Sequence, residues 1–305
     1  MTFYKYTNIP TAKLILENQT MRWSSPVVFN DIEECQFVPF TKDRISSAYK
    51  KYQEILTECA KGNLTPNYDS YSDVTKLIVS LLQITTGNDK FSAENLAEMM
   101  KKVSGSLEDD HRNFVNVALI KCFRVLCVTT EFDNNLMWAH YADQHHGCVL
   151  EFEEFFNNEP PGLRKGFVRY HENLEPTSNL LDNLLYGDTK EVTELLIKDV
   201  VFSKRTSWNY EKEYRFLFSE SFGEITAKID MVTNNRTISV KNQPETLYTD
   251  VAFSIGAIKS ITFGARATKS DIEQIFDILT NKSCVCSLYQ MQMRDGRMIR
   301  TDLVP

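Results

Sequence analysis

No stretch of the 305-residue chain stays apolar for the length that a membrane crossing needs. Its opening residues carry no charged-then-apolar leader pattern. Both absences point to the cytoplasm and to no membrane partner. Paired cysteine spacing is also missing. The seven cysteines are an odd number, which suits free thiols in a reducing compartment rather than a disulfide framework. Positive charge is in deficit: 34 Lys and Arg stand against 41 Asp and Glu, for a net charge of −7. That balance excludes a broad electrostatic grip on duplex nucleic acid, though not a small site for a single strand. No glycine-rich loop follows a predicted strand, so Rossmann and Walker sites are excluded. Internal repeats and low-complexity segments are absent. What is present is an ordinary globular composition, 42% hydrophobic and 25% charged, enough for one large domain or two.

Hydrophobic periodicity predicts a strand over 3–7, with Tyr4 and Tyr6 on one face. A helix over 10–18 follows, with Pro10 in its first turn. A strand over 20–25 stops at Pro26, and Asn30-Asp31 marks a turn. Residues 43–121 read as helical throughout. One helix runs from a cap at Asp43 to about Cys59, and others begin at Ser72, Ser92 and Ser106. Ser106 with Asp109 resembles a capping box. These helices interrupt the strand order. They are expected to form an insertion, 43–121, in a single domain spanning 1–305, placed to cover a site.

Strand signals resume over 123–130 and, after a short helix from Asn134, over 147–152, with Gly147 permitting a sharp turn. A strand over 167–171 and a helix over 189–205 follow. That helix would end on Lys204 and Arg205, cations suited to a helix C-terminus. Beyond 218 the pattern gives strands over 224–230, 236–241, 248–253 and 258–263. A helix over 270–281 capped by Ser270 and a strand over 284–293 close the chain. The expected fold is α+β, a mixed or antiparallel core sheet with inserted helices. His140, His145, His146 and Cys148 lie close in sequence, but their spacing is not a standard zinc set, and no metal is expected.

The most informative stretch is 208–218, Trp-Asn-Tyr-Glu-Lys-Glu-Tyr-Arg-Phe-Leu-Phe. Tyr214, Phe216 and Phe218 share one face of a strand, and Glu211, Glu213 and Arg215 share the other. Two readings follow. One is an edge strand with a salt bridge to Arg215. The other is a carboxylate pair that handles a sugar-like cation.

Four passages together resemble a bacterial family known only as a domain of unknown function. They are Tyr4-Lys5-Tyr6; Arg22-Trp23-Ser24-Ser25-Pro26 with Phe29-Asn30-Asp31; Trp138-Ala139-His140-Tyr141-Ala142 with His146-Gly147; and Trp208 through Arg215. Ile261-Thr262-Phe263-Gly264 also fits. Ile32 stands where that pattern usually has proline. The order of parts further resembles the ADP-ribosyltransferase superfamily, including toxins that modify nucleic acid.

That resemblance implies an ADP-ribosyltransferase-like core sheet and NAD as the substrate. Glu213 would stabilise an oxocarbenium-like ribose, and Glu211 would accept a proton from the nucleophile. Lys5 or Tyr6 would fill the first-strand position. Tyr6, Trp23 or Tyr141 would stack on a ring, Ser24, Ser25 and Asn30 would orient the dinucleotide, and Arg22 would meet pyrophosphate. A nucleic acid, single-stranded rather than duplex, is the implied acceptor. An antitoxin partner and a role in phage defence or a toxin–antitoxin pair follow from the same analogy. Two other classes remain: a ligand-sensing module without catalysis, and a nuclease holding Mg²⁺ through Glu211, Glu213, Asp31 and His140.

Overall fold

A computed structural model of the chain describes residues 1–36, 40–85, 119–153, 159–173, 176–221, 224–229, 236–242 and 244–303. The helices expected to start at Ser92 and Ser106 lie outside the described residues, apart from a last turn at Ile120–Cys122. The first strand, β1 (Phe3–Thr7), leads into α1 (Ile9–Asn18), whose N-terminus is capped by the Asn8 side chain. Next come β2 (Thr20–Ser24), α2 (Lys42–Ala60) and α3 (Asp73–Thr85). The cap of α2 is Thr41 rather than Asp43, which sits inside the first turn. After β3 (Phe123–Thr129) come α4 (Asn135–Tyr141) and β4 (Cys148–Phe152).

The expected strand over 167–171 is two strands, β5 (Arg164–Phe167) and β6 (Arg169–His171). The expected helix over 189–205 stops earlier. Following α5 (Leu180–Tyr186), α6 (Lys190–Val201) ends and β7 (Ser203–Arg205) begins, so Lys204 is a strand residue. A 3-10 turn, Thr206–Glu211, precedes β8 (Glu213–Ser219). The remaining strands are β9 (Glu224–Ile229), β10 (Arg236–Lys241), β11 (Tyr248–Ala252) and β12 (Ile258–Phe263). Helix α7 (Lys269–Asn281) is capped by Thr268 through a capping box with Asp271, not by Ser270. A hairpin of β13 (Ser287–Arg294) and β14 (Arg297–Asp302) follows.

Among the described residues, ten strands form one mixed, mostly antiparallel sheet in the order β11-β2-β3-β1-β4-β12-β13-β14, with β8 beside β3 and β5 beyond β8. Only β12 and β13 run parallel within it, among the described pairs. Strand β3 has three neighbours, and a strand has two edges. One edge is taken by β8 along seven residue pairs, Phe123↔Ser219 to Thr129↔Glu213. Its other edge is therefore shared. It meets β2 at Val125↔Ser24 and β1 at Thr129↔Tyr4, a single pair each. Between those two points β1 and β2 diverge, and the sheet forks. The Lys5 ammonium reaches into the fork and donates to the Cys127 carbonyl at 2.9 Å.

Alternation along the strands builds the core. Phe3, Trp23, Leu126, Leu150, Phe152, Phe216, Ile261 and Phe263 face α1 and α7 in one apolar layer. On the opposite face, Ile45 and Ala48 of α2 and Val200 and Val201 of α6 cover Phe123, Val125 and Leu217. Beside them, Met137 and Trp138 of α4 cover Tyr6, Val149 and Met291. The fork lies between these two covers. Gly147 is small for a different reason than its expected sharp turn. The left-handed residues are Asp143, Gln144 and His145, whereas a Cβ on Gly147 would sit 2.2 Å from the Thr7 carbonyl oxygen. Gly264 meets the same loop, and its Cβ would fall 2.0 Å from the His145 carbonyl oxygen.

Candidate active site

Side chains alternate along β8. Tyr214, Phe216 and Phe218 go to the apolar layer, while Glu213 and Arg215 turn the other way. Glu211 is not in the strand: Lys212 takes a left-handed φ of 44° and separates the 3-10 turn from β8. The turn nevertheless returns the Glu211 carboxylate to the same place. Its Oε2 accepts from Lys204 Nζ at 2.7 Å, and Glu213 Oε2 lies 3.8 Å from that ammonium. A third carboxylate, Glu34, arrives from the loop after β2, 3.1 Å from Lys204.

Arg215 completes the group. Its Nε and Nη2 donate to the two oxygens of Glu213 at 2.9 and 2.8 Å. Its Nη2 also donates to Glu34 and its Nη1 to the Val201 carbonyl. None of the five charged side chains is more than 6% exposed. Buried charges persist when paired. Here three carboxylates share two cations, so the group carries one excess negative charge when all five are ionised.

That imbalance shows in ionisation. Burial pushes the Glu213 carboxyl up to about 7, against the pull of Lys204. Burial alone would lower Lys204, but Glu213 and Glu211 outweigh it and hold its pKa above the ordinary range. The Cys127 thiol, beside Glu213, is raised well above its ordinary value by burial first and Glu213 second, which keeps it protonated. Around the edge, the Tyr141 hydroxyl donates to Glu211 Oε1 at 2.5 Å and accepts from Asn30 Nδ2 at 3.2 Å. The Tyr170 hydroxyl accepts from the Glu213 backbone N–H at 2.9 Å.

The fork opens into a cavity of about 250 Å³. Its lining brings together Tyr6 from β1, Ser24 from β2, Cys127 from β3 and Glu213 from β8, with Glu211 and Lys204 beside them. Lys5, Arg22, Asn30 and Tyr141 line it as well. Arg22 is held at its rim, bonded through Nε and Nη2 to Asp250 at 2.9 and 3.1 Å and stacked over Tyr248.

Two candidates are corrected. Trp23 does not face the cavity, because β2 alternation buries it completely in the apolar layer against Phe216 and Phe218. Ser25 is fully buried and structural: its hydroxyl donates to the Ile120 carbonyl and accepts from Val27 N–H. Three basic side chains near the site, which a nucleic acid could otherwise meet, are engaged by carboxylates. Arg164 pairs with Glu194, Lys165 with Glu159 and Arg205 with Glu33, at 2.7, 2.8 and 2.5 Å. Among the described residues of 43–121, none lines the cavity.

Sequence reasoning missed Lys204 and Glu34. Lys204 resembled a helix C-terminal cation, and its signal is the aromatic Trp208 four residues on, whose ring lies 4.5 Å from the ammonium. Glu34 closes a run of charged residues, Asp31 to Glu34, that looks like solvated surface, and it carries no signal of its own.

Residues 137–216 match the family described as protein of unknown function, DUF2971. The DUF2971 match runs from α4 into β8 and contains Tyr141, Lys204, Glu211, Glu213 and Arg215, the larger part of the charged group. No curated protein and no solved structure matches the chain. No described helix is long and apolar enough to cross a membrane.

Proposed function

We propose that this protein is an NAD-consuming ADP-ribosyltransferase whose reaction centre is the fork between β1 and β2. One observation carries the reading. Tyr6, Ser24 and Glu213, from three separate strands, line one cavity together with the carboxylates of Glu34 and Glu211. Such a site suits a ligand that is cationic or becomes so. In NAD⁺ the bond from ribose C1′ to the pyridinium nitrogen breaks, nicotinamide leaves with the electron pair, and positive charge develops on the ribose. A fixed carboxylate stabilises that centre, because its orientation is set before the charge appears.

Glu213 fills this role, held by Arg215. Glu211, facing the same cavity through Tyr141, takes the proton of the incoming nucleophile, which then bonds to C1′. Tyr6 and Tyr141 supply aromatic surface, Ser24 and Asn30 supply hydrogen bonds, and Arg22 at the rim suits pyrophosphate. The cavity volume suits the nicotinamide–ribose end of the dinucleotide. A nucleic acid is the acceptor carried over from the resemblance.

The test is incubation with labelled NAD⁺ and cell extract, followed by separate nuclease and protease digestion. Label released by nuclease identifies a nucleic-acid acceptor, and label released by protease a protein one. No NAD⁺ consumption, together with no rise in melting temperature on adding NAD⁺, would sink the reading. A melting rise with Mg²⁺ alone would favour the nuclease class.

A further inference from the structure

Three carboxylates reach the candidate site: Glu34 from a loop, Glu211 from the end of a 3-10 turn and Glu213 from the strand that follows it. Like charges do not gather in an apolar interior unaided. Two cations hold them, and the two are bonded differently. Arg215 is committed on every side: both oxygens of Glu213, one of Glu34, the Val201 carbonyl and the Cys35 sulfur at 3.9 Å. It fixes geometry. Lys204 lies among Glu211, Glu34 and Glu213 at 2.7, 3.1 and 3.8 Å, with the Trp208 ring on a fourth side. An ammonium is a point charge without a fixed fork, so one group can serve several carboxylates at once. Through Glu211 it also connects to Tyr141 and Asn30 at the cavity wall.

We propose that Lys204 is the positioning residue of this site, gathering Glu34, Glu211 and Glu213 around one ammonium. The proposal rests on the transferase reading for its purpose but not for its test. The groups that face Glu213 are Lys5 from β1, Cys127 from β3, Tyr170 from β6, Lys204 from β7, Glu211, Arg215 from β8 and, through the two cations, Glu34. Lys204 favours the charged form of Glu213 beside the two-point bond from Arg215. Replacing Lys204 with an apolar side chain leaves three carboxylates with Arg215 and the more distant Lys5, and the cheapest response is uptake of a proton by Glu213.

The experiment uses the full-length protein without ligand. Infrared difference spectra follow the protonated-carboxyl band across pH, and Glu213→Gln identifies the band by its loss. The wild-type band should titrate near 7. In Lys204→Met its midpoint should rise by about one pH unit or more, and in Lys204→Arg it should return toward the wild-type value. NAD⁺ cleavage in Lys204→Met should then shift its pH profile upward by the same amount and recover at alkaline pH.

A midpoint that does not move in folded Lys204→Met would overturn the proposal. So would a loss of activity equal at every pH alongside a lowered melting temperature. Should Lys204→Met fail to fold, Lys204→Gln keeps a polar side chain at the same place without the ammonium. Its midpoint must still rise, and an unmoved one overturns the proposal equally. A band that moves in a protein that consumes no NAD⁺ supports Lys204 and removes the transferase reading. Cleavage of NAD⁺ with an unmoved band does the reverse.

Discussion

Asp199 and Glu213 are both buried carboxylates, 2% and 5% exposed, and they ionise in opposite senses. Asp199 accepts five hydrogen bonds: from Thr177 N–H and hydroxyl at 3.0 and 2.8 Å, Ser178 N–H and hydroxyl at 2.7 and 2.6 Å, and Arg169 at 2.7 Å. Burial works against its charge, but those bonds, led by Ser178, outweigh it and lower its pKa. Glu213 is bonded by Arg215, yet it shares that arginine with Glu34 and shares Lys204 with both other carboxylates. Burial therefore prevails, and its pKa rises to about 7. Burial alone does not set the direction of a carboxylate's shift. The ratio of donors to charge does.

The sharpest break in that pairing is Glu213→Gln. Glutamine keeps the size and one acceptor and leaves two carboxylates for two cations, so the fold should hold. NAD⁺ cleavage should fall on the order of 10²–10³-fold, as for removal of one preorganised electrostatic group. Near-normal transfer by a well-folded variant would remove Glu213 from the mechanism, and a sharp loss of melting temperature would make the pair with Arg215 structural.

The next effect is on stability against pH, and the two residues should pull opposite ways. Glu213 binds its proton more tightly folded than unfolded. Its contribution is thus largest below the ordinary value of 4.5 and declines as pH rises through about 7. At ~1.4 kcal/mol per pH unit that decline is about 3 kcal/mol. Asp199 contributes stability above its ordinary 3.8 and loses it only as pH falls through its lowered value. Urea unfolding at stepped pH should show the decline toward neutrality in wild type and not in Glu213→Gln.

Glu211→Gln should cost transfer to the acceptor on the order of 10²-fold while sparing NAD⁺ cleavage, because a general base acts on the nucleophile. Equal losses in both assays would deny it that role. Smallest is Asp199→Asn, expected to cost about 2 kcal/mol of stability by weakening charge-assisted bonds, with kcat/KM unchanged in the folded protein. A drop in kcat/KM without a stability loss would put Asp199 in the site and dissolve the contrast.

Much of the sheet was legible from its apolar pattern. β1, β2 and β4 alternate, β3 is apolar nearly throughout and β12 alternates after a bulge near Ile258, and their limits fall within a residue or two of those expected. The 203–205 strand was not, since three residues, Ser-Lys-Arg, hold no period and continue the polarity of a helix end. Glu211 and Glu213 stood out by their spacing and Tyr6 and Ser24 through the resemblance, and all four line one cavity. Trp23 and Ser25 were misplaced because a motif does not say which face each member takes, and Trp23 follows the alternation of β2 into the core. Glu34 was invisible, since only the tertiary path of its loop carries it beneath Arg215.

The fork has a mechanical consequence. A strand inside an ordinary sheet resists separation through a whole ladder, but β3 is joined to the β1 side by one residue pair and to the β2 side by another. Its seven-pair seam with β8 stays closed if either is lost. The sheet thus has a compliant seam and a stiff one on opposite edges of a single strand. Widening at the compliant seam breaks few hydrogen bonds, and the Lys5 tether to Cys127 lies across it. Amide exchange should reveal the asymmetry as early labelling of β1 and β2 at Tyr4 and Ser24 while β8 remains protected. Opening along the fork would move Tyr6 and Ser24 and leave the Glu213–Arg215 pair of β8 in place on β3.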